Sequence, residues 1–467
     1  MPLDLPFLPL AHALAARQDL PIPEWLFAWA ASIVLIVSFF ALSIAWHTPR
    51  FEEDRWRAVG AGISRAAAHP LTAVLCGLVG VFLLGVAIYA GLQGTVAPDR
   101  NFALTFVFVT CWLGFPLLGV LVGDVFRAFN PWRAIGRAGG WTFTRLVGQP
   151  PVHAPYPERL GRWPAALGVA AFVWLEVIYG SSGGVSVGLD PESTARAAIA
   201  YTAFTLAMMA IFGTERWCDR GETFSVYFGM FGRLGPLELR DGSLGVRRML
   251  AGATRWAAVP GSVAVVIASI GSTAYDGAAE GAIRDQIEST FEWLVDQGVG
   301  LTASRRLAET IFMLLAIATI AVIYLAGVWG MRTVRNAPPF RELVRAFAPT
   351  LIPIAFAYLV AHYFSLFVFQ EQAQFTYLLS DPLGEGSDLF GTASGGIDYA
   401  LISANGIWYV QVAALVIGHV TALVLAHDRA IALWGDQKLA TRSQYFMLAV
   451  MVGFTCLGLY LLSSANQ

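Results

Sequence analysis

Ten stretches of this 467-residue chain are apolar for long enough to cross a bilayer, whose hydrocarbon core of roughly 30 Å takes about 20 helical residues. They cover 25–46, 71–92, 102–126, 164–180, 195–213, 256–275, 307–331, 346–369, 407–427 and 445–462. Such a chain is all-α, a polytopic helical membrane protein, because a segment in hydrocarbon must satisfy its own backbone hydrogen bonds. Composition agrees. Hydrophobic residues make up 57% and charged ones 13%, about half the charged share of a soluble domain, which excludes a soluble enzyme and a disordered chain.

The loops sort by charge, and cytoplasmic loops carry the excess of Lys and Arg. The odd-numbered connections hold 24 of the 30 basic residues, from Arg50, Arg55, Arg57 and Arg65 in the first to Arg429, Lys438 and Arg442 in the last. The other side holds Arg17, Arg100, Arg196, Arg284, Arg305 and Arg306, and its last long loop, 370–406, has no basic residue. This alternation predicts ten spans with both termini outside. The net charge of −2 divides into a basic inner face and an acidic outer one, without the basic excess that a nucleic-acid partner requires.

Residues 1–24 carry Pro2, Pro6, Pro9, Pro21 and Pro23 without a signal-peptide cleavage pattern and read as a retained outer leader. On the inner side, within 214–254, Phe224, Tyr227, Phe228 and Phe231 recur at helical spacing. They predict a helix on the inner interface, or a lid packed against the bundle. Leu237 to Val246 alternates around Asp241-Gly242, the pattern of a small β-hairpin. On the outer side, within 276–306, Ile283, Ile287, Phe291 and Leu294 form one face of an amphipathic helix, and Asp285, Glu288, Glu292 and Asp296 the other. Pro116 interrupts the third span, and Pro349 and Pro353 make the eighth the better candidate for a broken helix.

An ionisable side chain inside a span costs about 2.5–3.5 kcal/mol and is a functional candidate for that reason. Glu176, His362 and His419 qualify, whereas Asp124 and His427 sit at inner span ends. Glu176 lies ~6 Å and His362 ~10 Å below the outer ends of their helices, and His419 about 20 Å down. Glu176 and His362 therefore share a level and line an outward-facing pocket roofed by Glu371, Asp381, Asp388 and Asp398 of the acidic outer loop, with His12 and Asp19 of the leader nearby. They supply general base and acid, or ligands to a divalent metal, or form a buried pair, or do not meet. Bis-histidine haem is disfavoured by the difference in depth between His362 and His419. Cys76, Cys111, Cys218 and Cys456 form no CxxC pair, and no nucleophile elbow, HExxH, Walker loop or dinucleotide fingerprint is present.

The stretch from His12 through Arg17 and Asp19 to Pro23, together with Gly418-His419, His427-Asp428-Arg429 and the last span from Ser443-Gln444-Tyr445 through Met447 and Met451, resembles a family of bacterial membrane proteins labelled fenitrothion hydrolase. The resemblance implies hydrolysis of an organophosphorus triester by an activated water, in the bacterial plasma membrane. Two metals held by clustered histidines are not the route here. No two of the seven histidines are separated by a single residue, and His47, His69, His153 and His427 belong to the inner face.

Two readings follow. As an enzyme, the protein takes a hydrophobic small molecule from the lipid bilayer, with His12, Glu176 and His362 as base or divalent-metal ligands and Asp19 orienting a histidine. As a proton-coupled transporter, or a respiratory-complex membrane subunit among other subunits, it uses Glu176 to carry protons while the broken eighth span gates a path towards His419.

Overall fold

The computed structural model describes residues 24–464, apart from 54, 183–184 and 187–188. Helices dominate. The elements that build the bundle are α1 (Glu24–Ala45), α2 (Pro70–Gln93), α3 (Phe102–Leu121), α4 (Pro131–Val147), α5 (Trp163–Tyr179), α6 (Pro191–Phe212), α7 (Thr223–Gly232), α8 (Ser262–Ala279), α9 (Arg284–Asp296), α10 (Leu301–Met331), α11 (Phe340–Leu378), α12 (Ala404–Trp434) and α13 (Tyr445–Ser464). Eight of them are long and apolar enough to cross a membrane among the described residues: α1, α2, α3, α6, α8, α10, α11 and α12. α5 is apolar but shorter, and α13 follows a short helix, Gln437–Ser443, across a 41° bend.

Helix starts follow from local chemistry. Asn130 accepts from the backbone N–H of Arg133, and Pro131, which has no N–H to satisfy, occupies the first turn of α4. Asp190 and Pro191 begin α6 in the same way, and Ser403 caps α12.

Burial sorts the helices into layers. The apolar stretch of α8 is 83% buried and marks the centre of the bundle, whereas those of α1 and α2 are 17% and 11% buried and present their flanks outward. Large side chains such as Ile44, Leu78 and Phe82 cover those flanks, as expected of surfaces solvated by lipid. α8 packs against α5, α10 and α11, and α11 against α12. That last contact depends on Gly418, because a Cβ there would lie 2.3 Å from Cβ of Ala357.

The helix expected at the inner interface, α7, is a core element. Val226, Tyr227, Phe228, Met230 and Phe231 are all buried, and the helix packs on α3 and α5. Strands β1 (Arg57–Ala58), β2 (Leu237–Arg240) and β3 (Ser243–Val246) form one sheet in the order β1-β3-β2. The β2–β3 turn uses Asp241 at φ 49° and Gly242 at φ 74°, the left-handed pair that a two-residue hairpin favours.

Three of the helices contain wide π turns: Thr105–Cys111 in α3, Leu175–Tyr179 in α5 and Gln374–Leu378 in α11. Pro349 lies in a 3₁₀ turn, Ala348–Leu351, within α11, so the prolines tighten the helix locally while it continues as one span from Phe340 to Leu378.

Candidate functional site

The apolar run that ended at Tyr275 in the sequence continues as helix through the small residues Gly277, Ala278 and Ala279. This corrects the position of Asp276, which falls inside the most buried helix rather than in the outer amphipathic segment. Its side chain is 8% exposed.

Asp276 organises the site. Nε2 of His362 lies 2.8 Å from its Oδ2, and the hydroxyl of Tyr363 donates to the same oxygen at 2.6 Å. Two consecutive residues of α11 thus grip one carboxylate of α8. Gly277 makes room for the ring, since a Cβ there would stand 3.3 Å from Nδ1 of His362. Glu280, one turn further along and half-buried, faces the same imidazole.

Glu176 enters from α5. It sits in a π turn, a distortion that often marks functional positions, and lies within electrostatic reach of Asp276, Tyr363 and Tyr227. Its Oε2 is buried and has no hydrogen-bond partner among the described residues. Trp174 anchors this turn by donating to Thr310 of α10 at 2.8 Å. Glu176 is therefore within electrostatic reach of the carboxylate that His362 contacts directly.

The carboxylates of the acidic loop are engaged within the loop itself. Asp381 accepts from the backbone N–H groups of Glu385 and Gly386, Asp388 from Ser380 and the N–H of Ala393, and Asp398 from the N–H of Ala400. These carboxylates hold the loop's own turns. Glu371 belongs to α11.

His12 and Asp19 lie outside the described residues, so their roles as metal ligand and orienting carboxylate cannot be placed beside Glu176 and His362. Among the described residues no three His, Cys, Asp or Glu side chains assemble as a ligand set, and the His362 nitrogen that faces the cluster is engaged with Asp276. The described residues by themselves do not fit a divalent metal. His419 is apart from the site, with Nδ1 against the carbonyl of Leu415 at 2.7 Å and its ring beside Tyr358.

On the far side of an aromatic wall is a cavity of about 720 Å³. Trp112 forms the wall, stacked on Phe172 at 4.3 Å and on Tyr227 at 4.2 Å, so that Phe172 faces the cavity while Tyr227 faces Glu176. The lining is almost wholly apolar, and all three π turns contribute to it, through Thr110 and Cys111, Leu175, and Gln374 and Phe375.

The sequence-based site omitted Asp276 and Tyr363, which stood at an apparent span end and beside the conspicuous His362. Away from this site, Asn130 at the start of α4 and Glu222 at the start of α7 hold each other. Asn130 Nδ2 donates to Glu222 Oε2 at 2.9 Å, Tyr201 donates to Oε1 at 2.6 Å, and Glu222 accepts the backbone N–H groups of Phe224 and Ser225 to cap α7. No protein-family model, curated protein or solved structure matches the chain.

Proposed function

We propose that the protein is a ten-span protein of the bacterial plasma membrane, with both termini outside, that moves protons through Asp276, His362, Tyr363 and Glu176 and couples them to transport of a second species. The observation that carries this reading is the shared Asp276 oxygen. A carboxylate in the most buried helix that accepts from an imidazole and a phenol, with the buried, unpartnered Oε2 of Glu176 within electrostatic reach, has the composition of an intramembrane proton relay. Half-buried Glu280 offers an outward approach to His362, and α11, with its 3₁₀ turn at Pro349, is the element able to change shape. Ten spans follow when α5 and α13 are added to the eight long helices, in keeping with the alternating arginines.

The test uses the purified protein in proteoliposomes. Proton uptake after an acid jump, blocked by dicyclohexylcarbodiimide with the adduct mapped to Glu176 or Asp276, supports the proposal. Uptake indifferent to the reagent counts against it.

A second reading keeps the hydrolase that the resemblance implies, with the carboxyl and imidazole groups of Glu176, Asp276 and His362 as the groups able to activate water. Release of nitrophenolate from a dialkyl nitrophenyl phosphate, lost in His362→Ala, would support it; unchanged release in both His362→Ala and Glu176→Gln would remove this site from the reaction.

A further inference from the structure

The cavity behind Trp112 is within the size range of small-molecule sites, and most of its polar lining groups are already used: Trp132 donates to Thr202, Thr194 to the carbonyl of Asp190, and Tyr201 to Glu222. Leu83, Phe106, Phe172 and Phe228 line its length. Exposed Phe204 and Phe375 stand among the lining residues on the outer flank of the bundle, where hydrocarbon is the solvent.

At the π turn of α11 the lining changes character. Gln374, 3% exposed, has its Oε1 buried without a hydrogen-bond partner among the described residues, and the Thr110 hydroxyl from the π turn of α3 lies beside the Glu371 carboxyl, to which it can donate. Both residues line the cavity. Glu371, one helical turn before Gln374, stands behind the lining residues Thr110 and Cys111; the Thr110 hydroxyl is the donor within its reach, which leaves its carboxyl group with acceptor capacity to spare. Buried acceptors short of donors are costly, and here they collect at one end of an apolar chamber. A carbonyl or carboxylate ligand would add acceptors to acceptors; a ligand with N–H or O–H groups would satisfy them.

We propose that this cavity binds a single-chain lipophile with a hydrogen-bond-donating head, preferentially a primary amine, with the head at Gln374, Thr110 and Glu371 and the chain along the aromatic wall. The cavity's use of all three π turns ties the site to the same distortions that place Glu176. The binding itself rests on Gln374 and the spare acceptor capacity of Glu371, independently of the proton relay.

The test is equilibrium binding of radiolabelled dodecylamine, dodecanol and dodecanoate to the protein in nanodiscs, with empty nanodiscs subtracted. The amine is expected to bind most tightly, then the alcohol, with dodecanoate no better than empty discs. Gln374→Leu should weaken the amine and the alcohol about tenfold, the worth of one buried hydrogen bond. Glu371→Gln should weaken the amine more than the alcohol. Ala198→Trp, which fills the chamber and leaves its polar end intact, should abolish both. Each variant is first required to give the monodisperse elution of the parent.

Dodecanoate bound as tightly as dodecylamine, or amine binding unchanged in Gln374→Leu and Ala198→Trp, would overturn the proposal and identify the chamber as space for ordinary acyl chains. Proton flux retained in Gln374→Leu while amine binding falls would separate this site from the relay. Flux lost in Glu176→Gln with amine binding intact would separate them from the other side.

Discussion

His362 of α11 and Asp276 of α8 meet at 2.8 Å in the centre of the bundle, and Tyr363 completes the contact on the same carboxylate oxygen. The two helices are held in register by a charged group that neither could bury alone. Removing His362 takes one of these donors from a buried carboxylate and opens a cavity beside it. His362→Ala is expected to destabilise the protein by about 3 kcal/mol, read as a lowered unfolding midpoint in detergent, whereas His362→Gln, which can still donate to Asp276, should recover part of that loss. Equal stability of His362→Ala and the parent would mean the pair does not hold the helices.

Glu222 is fully buried and accepts from Asn130, Tyr201 and two backbone N–H groups. Glu222→Ala strands all four donors and removes the cap of α7, a cost of about 3 kcal/mol or more. Because α7 carries Tyr227, and Tyr227 supports Trp112, the variant should also loosen the aromatic wall. Hydrogen exchange along 223–232 should rise well above that in the rest of the core.

The hairpin gives a pH dependence outside the membrane. Burial pushes Glu238 up, but Arg247 at 3.2 Å, with Arg233 and Arg240, outweighs it and holds the carboxyl below the ordinary glutamate range. Burial lowers Arg247 to about 10, still charged at neutral pH, and its guanidinium also donates to the carbonyls of Gly232 and Gly235. A depressed carboxylate contributes stability that is present above its unfolded pKa, about 4.3, and is lost as pH falls through the folded value. Glu238→Gln should therefore cost about 2 kcal/mol at pH 7 and progressively less as pH falls below 4. Thermal unfolding of parent and variant at both pH values checks this; a gap that widens on acidification would contradict it.

The fold was legible where the physics is additive. Apolar length located the eight long helices, Pro349 located the 3₁₀ turn in α11, and Asp241-Gly242 located the hairpin turn, because each rests on local backbone chemistry. Asp276 was hidden for the opposite reason. A charged residue after Tyr275 reads as the end of a span unless its partner is known, and His362 and Tyr363 lie more than 80 residues away. The use of Asp381 and Asp388 was not legible either, because sequence reports how many carboxylates a segment has but not that these two are held by the loop's own turns. The cavity was invisible, since its walls come from π turns that no apolar count detects.

The charge asymmetry makes the topology testable. With Cys76, Cys111, Cys218 and Cys456 replaced, Asp241→Cys in the hairpin should resist a membrane-impermeant maleimide on intact cells and react once the membrane is opened. Ser387→Cys in the arginine-free loop should react on intact cells. Both positions are exposed on the molecule, so access is set by the side of the membrane. The reverse pattern would invert the bundle.

The most direct test of the proton relay is flux itself, measured with a trapped pH-sensitive dye in proteoliposomes under an imposed pH gradient. The account predicts that the parent dissipates the gradient and that Glu176→Gln and Asp276→Asn, each eluting and unfolding as an intact protein, fall to the rate of empty liposomes. Parental flux in both variants, or no flux above empty liposomes in the parent, would contradict it.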